Sequence, residues 1–155
     1  MTRAITVLTL LLLTGCGSVG AGGGSGPLPS DVGGLGQDCG QGGHLAERIS
    51  TDSRSYASGA IITVTLTATN TSSAACAAPF GCFPAVEVDN LAGTAVWRTP
   101  RVVRPCALLV RLLPPGESVS DAVKVDARLA AGVYSVTGPG KPLQDALGRS
   151  YFRVD

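Results

Sequence analysis

Aromatic residues are scarce: one Trp, three Tyr and three Phe make up 5% of the 155-residue chain. A core must therefore be built mainly from Val, Leu, Ile and Ala, and there is no run of rings on which single-stranded nucleic acid could stack. Charge is sparse too, at 15% of residues with a formal net charge of +1, which argues against an electrostatic commitment to nucleic acid. Histidine is nearly absent. His44, the single one, sits beside a glycine-rich stretch, so a Ser-His-Asp or Cys-His arrangement would have its base outside the folded core. No Cys-x-x-Cys and no Gly-Lys-Ser/Thr ending occurs, which removes the common zinc and phosphate-loop signatures. No apolar run reaches the ~20 residues that a membrane-crossing helix requires.

What is present begins with "LLLTGCGS" at residues 11–18. Arg3 supplies a short positive region, Ala4 to Leu13 an apolar stretch of secretory-signal length, and Leu13-Thr14-Gly15-Cys16 small residues before a cysteine. This resembles the lipobox of bacterial lipoproteins. The resemblance implies a signal peptide over 1–15, cleavage before Cys16, a diacylglycerol on its thiol and a fatty acid such as palmitate on the new amine. Two or three acyl chains hold a protein on a membrane durably, at roughly 0.8 kcal/mol per buried methylene. The implied location is extracytoplasmic, on the outer membrane or the outer face of the cell membrane. Removing Arg3 from the twelve basic residues leaves eleven against eleven acidic ones, so the mature chain is neutral.

Residues 17–36, "GSVGAGGGSGPLPSDVGGLG", are mostly glycine with almost no charge. Such a composition cannot offset chain entropy by burial and reads as a tether, with a span of about 25 Å over ~20 residues. The lipidated linker is placed at 16–43 and one folded domain at 44–155.

Periodicity sets the fold class of that domain. In "AIITVTLTATN", Ile62, Val64, Leu66 and Ala68 alternate with Thr63, Thr65, Thr67 and Thr69, the pattern of a strand with one apolar face. Shorter strand-like runs lie near 48 and at 85–88, 94–98, 107–113, 118–125, 132–136 and 150–154, separated by turn residues such as Pro114-Pro115-Gly116. The expectation is all-β: an antiparallel immunoglobulin-like sandwich of about 7–8 strands. "DARLAAG" at 126–132 offers one turn of helix between strands.

Tyr56-x-x-Gly59, Asn70, the spacing from Phe83 to Val88, Gly93 before Val96-Trp97-Arg98, "LPPGES" at 113–118 and "LAAGVYSV" at 129–136 carry a second resemblance. Together they are similar to the intracellular proteinase inhibitor (BsuPI-like) domain family, over roughly residues 45–140. The resemblance implies an immunoglobulin-like fold and proteinase inhibition. No reactive-site residue transfers from it.

With Cys16 assigned to lipid, Cys39, Cys76, Cys82 and Cys106 remain, an even number outside the cytoplasm. Three pairings are open. Alternating strand directions bring all four to one pole, taken as the pole facing the membrane. The preferred bridges are Cys39 with Cys76 and Cys82 with Cys106; a Cys76–Cys82 staple is the rival. The loops at 53–59, 90–93, 114–117 and 139–147 are then expected at the far pole.

Other residues have ordinary structural roles. Trp97 and Tyr134 are expected to pack the core and corner of the sandwich. Arg98, Arg101, Arg104 and Arg111 are read as solvated, the middle two on the cysteine pole. Glu87 and Asp89 share a strand face and are read as outward and solvated rather than as a catalytic pair. No catalytic residue, metal ligand or cofactor is assigned. The functional expectation is a non-enzymatic interaction module at the cell envelope, held to the membrane by lipid on Cys16, with an envelope or extracellular protein as partner. The alternative is an inhibitor of extracytoplasmic proteases. Nucleic acid is excluded as a partner.

Overall fold

The computed structural model describes residues 26–39, 43–80, 85–100, 109–138 and 147–155. Twelve strands run through them: β1 (Val32–Gly33), β2 (Gln37–Asp38), β3 (His44–Thr51), β4 (Ser55–Tyr56), β5 (Ile62–Asn70), β6 (Cys76–Phe80), β7 (Glu87–Asn90), β8 (Ala95–Arg98), β9 (Leu109–Leu113), β10 (Ser118–Val125), β11 (Gly132–Thr137) and β12 (Gly148–Val154). The all-β fold and its antiparallel sheets agree with the sequence periodicity. Each of the eight anticipated runs contains a strand; β1, β2, β4 and β6 are additional. No helix among the described residues is long and apolar enough to cross a membrane.

One sheet has the order β10-β5-β3-β2 and a second the order β1-β12-β11-β7-β8, with β4 alongside β12. Alternation in β5 turns Ile62 and Val64 inward, and the threonine face is tied across to β10 by Thr67 Oγ1–Ser120 Oγ (2.9 Å) and Thr69 Oγ1–Ser118 Oγ (2.8 Å). Ile49, Ile62, Val64 and Val125 of the first sheet pack against Val88, Tyr134, Val136, Phe152 and Val154 of the second. Tyr134 stacks on Phe152, with ring centroids 5.7 Å apart, and its hydroxyl donates to the Ala130 carbonyl at 2.8 Å. Trp97 is partly buried against the same cluster.

The first sheet has a second cover. β6 and β9 form a two-stranded ribbon, and Cys76, Ala78 and Leu113 from it enclose Leu45, Ala68 and Val119. A disulfide joins Cys39 to Cys76 across a Cα separation of 5.5 Å. Cys16, Cys82 and Cys106 lie outside the described residues, as does the 139–146 part of the anticipated 139–147 loop.

Strand directions define two ends of the sandwich. His44, Asn70 and Ser118 meet at the cysteine end, where Leu45 pairs with Asn70 and Ser118 with Thr69. The turns at 52–61, 90–94 and 126–131 lie at the other, the turn end, together with Asp155, whose amide donates to Tyr56 O at 2.9 Å. Two expectations change here. The 114–117 turn sits at the cysteine end, because Gly116 N–H donates to Asn70 O (2.8 Å) and Asn70 N–H to Glu117 O (2.9 Å). The strand ends that flank 139–146 also lie there, since Thr137 pairs with Arg149. The 126–131 stretch is an irregular turn rather than helix, and buried Leu129 drops from it into the core.

The larger change concerns the N-terminal segment. β1 pairs antiparallel with the start of β12, Val32 opposite Arg149 and Gly33 opposite Gly148, and β2 then pairs with β3. Paired backbone thus reaches back into the stretch whose glycine content reads as tether. Followed toward its N-terminus, this segment runs toward the turn end: Asp31 Oδ1 accepts from Tyr151 N–H (2.9 Å), Arg54 reaches Asp31 (2.8 Å), and Arg153 Nη2 donates to Gly26 O. The described chain therefore comes onto the sandwich at the end opposite the Cys39–Cys76 bridge. Residues 26–33 thus run along β12 before the chain reaches Cys39, so that Gly26 and the Cys39–Cys76 bridge lie at opposite ends.

Candidate functional site

Two places gather polar chemistry. The first is the outer face of the second sheet. Val88 points into the core, so Glu87 and Asp89 point away from it, yet both are buried, with side chains 11% and 3% exposed. The expectation of solvated acids is corrected: alternation assigns a face and says nothing of what covers it. In register, Glu87 lies between Arg98 and Thr137, and Asp89 beside Ser135. Arg98 Nε sits 2.6 Å from Glu87 Oε2, and Arg149 Nη2 lies 3.9 Å from Asp89 Oδ2. Asp89 Oδ1 has no hydrogen-bond partner. Burial pushes the Asp89 carboxyl above the usual range, and the hydrogen bond and negative charge of Glu87 push the same way. Two acids flanked by two arginines form a nearly neutral layer in which Arg98 is largely exposed and Asp89 almost wholly covered.

The second place is the cysteine end. Asn70 closes β5 fully buried and uses its whole amide. Its Nδ2 donates to Leu113 O (2.8 Å) and Ala74 O (2.7 Å), while Oδ1 accepts from Ser72 N–H (3.0 Å) and Ser72 Oγ (2.6 Å). Together with the two backbone bonds to Gly116 and Glu117, one residue fixes both the 71–75 loop and the 114–117 turn. Gly116 takes φ 78°, a left-handed conformation suited to glycine. The turn is exposed and stands beside the disulfide, since Cys76 pairs with Leu113. On the ribbon next to it, Val110 and Leu112 lie open to solvent at 61% and 66%, with exposed Ala77 paired opposite Leu112. Exposed large side chains on one strand face are a feature of surfaces that meet another protein.

The remaining sequence candidates are dispersed. His44 Nδ1, half-exposed at the start of β3, lies 3.5 Å from Oδ1 of the almost fully exposed Asp38 on β2. Arg111 reaches Glu117 at 3.9 Å on the surface; Arg101 and Arg104 lie outside the described residues. Trp97 and Tyr134 serve the core. Among the described residues no three of His, Cys, Asp or Glu come close enough to hold a metal ion.

The sequence gives little sign that Asn70 is a hub. Its only signal was a buried-face position at the end of a threonine strand, followed by Thr71-Ser72-Ser73, residues that favour side-chain turns. Little in it points to the Asp52–Tyr56 pair at the turn end either. Tyr56 donates to Asp52 Oδ1 (2.6 Å) and accepts from Ser53 N–H (2.8 Å), while Thr63 N–H also bonds Asp52 (2.9 Å). Burial, with the Asp52 bond second, pushes the Tyr56 hydroxyl up to about 12.

The chain matches no protein-family signature and no curated relative. Among solved structures it is similar to a β-glucosidase from Erythrobacter marinus, at 15% identity and a TM-score of 0.42 over 73% of this chain and 16% of that one. It spans only that small share of the glucosidase. The C-terminal domain of Wzt is similar at 15% identity and a TM-score of 0.42, covering 77% of this chain and 75% of that domain. A CARDB domain from Pyrococcus furiosus, described in complex with di-metal ions, is similar at 11% identity and a TM-score of 0.37, covering 72% and 87%.

Proposed function

We propose that the chain is a membrane-anchored bacterial lipoprotein, held by lipid on Cys16, whose β-sandwich is a non-enzymatic module that binds another protein of the cell envelope through its cysteine end. One observation carries the reading: the described N-terminal segment begins at the turn end, by Arg153 and Arg54, while Cys39–Cys76, the 114–117 turn and the open Val110–Leu112 face lie at the opposite end. A tether at one end favours display of the other. The test uses the full chain extracted from membranes. Val110→Asp with Leu112→Asp is expected to abolish co-purification of the partner, whereas Leu91→Asp, an exposed leucine at the turn end, leaves it intact. Equal loss in both variants refutes the cysteine end as the binding surface.

A second reading has its own support. The Pro114–Glu117 turn is exposed, fastened on both sides to Asn70 and placed beside a disulfide, the kind of pre-ordered loop that binds with little entropic cost. This favours inhibition of an extracytoplasmic protease, in line with the resemblance to the BsuPI-like family. Stoichiometric loss of activity in a panel of secreted proteases, relieved by replacing Pro115 and Glu117 with glycine, is the expected result. No loss across the panel removes this reading and leaves the first.

A further inference from the structure

Residues 26–38 are held to the sandwich by few and open contacts. β1 and β2 contribute two paired residues each, and the side-chain ties are mostly surface ones: Asp31 with Arg54, Ser150 and the Tyr151 amide, Arg54 with Pro29 O, Asp38 with His44, and Arg153 with Gly26 O. Val32 and Leu35 are 57% and 75% exposed. Immediately beyond, Cys39 is bonded to Cys76, which is wholly buried. A loosely docked segment thus ends at a covalent stop.

We propose that residues 26–38 form a strap that opens and closes apart from the sandwich, and that opening moves the tether's attachment from the turn end to the cysteine end. Segments with few buried apolar contacts and exposed backbone bonds open at lower free energy than the core they lie on. With the strap docked, the chain joins the sandwich at Gly26, beside Arg153. With the strap open it joins at Cys39. The two points are separated by about the length of β5, whose nine residues span roughly 30 Å. Opening releases the thirteen residues 26–38, which as free chain span about 20 Å root-mean-square.

Two glycines make the docked state possible. Gly36 and Gly148 take φ of 70° and 73°, and a Cβ on either would run into backbone, that of Leu45 for Gly36 and that of Val32 to Gly34 for Gly148. On the reading that Cys16 is lipidated, on which the following consequence rests, the strap decides which end faces the membrane. Docked, it presents the cysteine end outward; open, it presents the turn end. The disulfide keeps the open strap from pulling at β3.

The test is hydrogen exchange followed by mass spectrometry on the full chain with its disulfide intact. Amides of Leu28 and 30–38 and the Tyr151 amide are expected to exchange together, at least tenfold faster than those of β3 and β5. Asp31→Ala and Gly148→Ala should each raise the strap rate by a further tenfold without raising that of β5. Exchange of the strap at the rate of β5, or variants that accelerate both alike, overturns the proposal. A second readout places a donor on Lys124, at the turn end, in a Lys141→Arg background, with acceptors on the headgroups of liposomes that hold the chain. Energy transfer should fall in both strap variants; unchanged transfer despite faster strap exchange refutes the change of attachment. Failure of the chain to partition into liposomes counts against the lipid reading alone, and the exchange result still decides the strap.

Discussion

Replacing Asp89 by asparagine tests how the outer face of the second sheet is held together. Asp89 is buried with Glu87 as a hydrogen-bonding neighbour, its Oδ1 lacks a partner, and Arg149 stands 3.9 Å away, a third exposed. At neutral pH the native protein must either keep a proton on this pair or place two like charges side by side. The Asp89→Asn variant needs neither, because the new amide donates to Glu87 at every pH. A hydrogen bond to a charged group contributes roughly 1.5–3 kcal/mol, and the lost pair with a partly exposed arginine removes about 0–1 kcal/mol. The expected net is a gain of about 1 kcal/mol at pH 7, or roughly 3–6 °C in Tm for a domain of this size. The sign with pH follows from the raised carboxyl. The native state holds its proton more tightly than the unfolded chain, so the wild type is favoured below the ordinary aspartate range and loses that advantage as pH rises through the raised value. Asp89→Asn should therefore outperform the wild type at pH 7 and match it near pH 4. Thermal or urea unfolding at both pH values measures this. A variant less stable at pH 7, or one with the same margin at both, refutes the reasoning.

Other outcomes are equally specific. Cys39→Ala opens a loop of sequence separation 37 and should cost about 3–4 kcal/mol in urea unfolding, with the cysteine end losing exchange protection first. Tyr56→Phe leaves the Ser53 amide without its acceptor and Asp52 with the Thr63 amide but no hydroxyl donor, for a loss of about 1–2 kcal/mol. Because the Tyr56 hydroxyl is raised to about 12, wild-type stability should also decline between about pH 10 and pH 12, a decline absent in the phenylalanine variant. Asp31 is held below the usual carboxylate range: burial opposes this, but the Tyr151 amide and Arg54 outweigh it. Strap protection should therefore be full above the ordinary aspartate pKa of about 4 and be lost as pH falls below it, as exchange measured across that interval will show.

Much of the fold is legible in side-chain alternation. Ile62, Val64 and the threonines between them announce β5, and β10 and β12 follow the same period. Where composition argues against a strand, the sequence misleads. Cys76–Phe80 contains Ala77, Ala78 and Pro79, yet pairs along β9 in a ribbon where proline is tolerated at an edge. Gly36 and Gly148 look like tether or turn residues, and their role depends on the close approach of other backbone, that of Leu45 for Gly36 and that of 32–34 for Gly148. The same limit applies to Glu87 and Asp89, whose face follows from the period but whose cover does not. The position of 114–117 depended on how β9 passes to β10 between separate sheets, which strand counting cannot give.

The proposed function turns on Cys16, since a lipid on its thiol would make the N-terminal segment a tether and give the two ends of the sandwich separate roles. The most direct measurement is the intact mass and N-terminal peptide of the chain recovered from bacterial membranes. The account predicts a mature chain that begins at Cys16 and carries a diacylglyceryl thioether, with Cys16→Ser released from the membrane fraction. An unmodified Cys16 within a chain that begins elsewhere contradicts it.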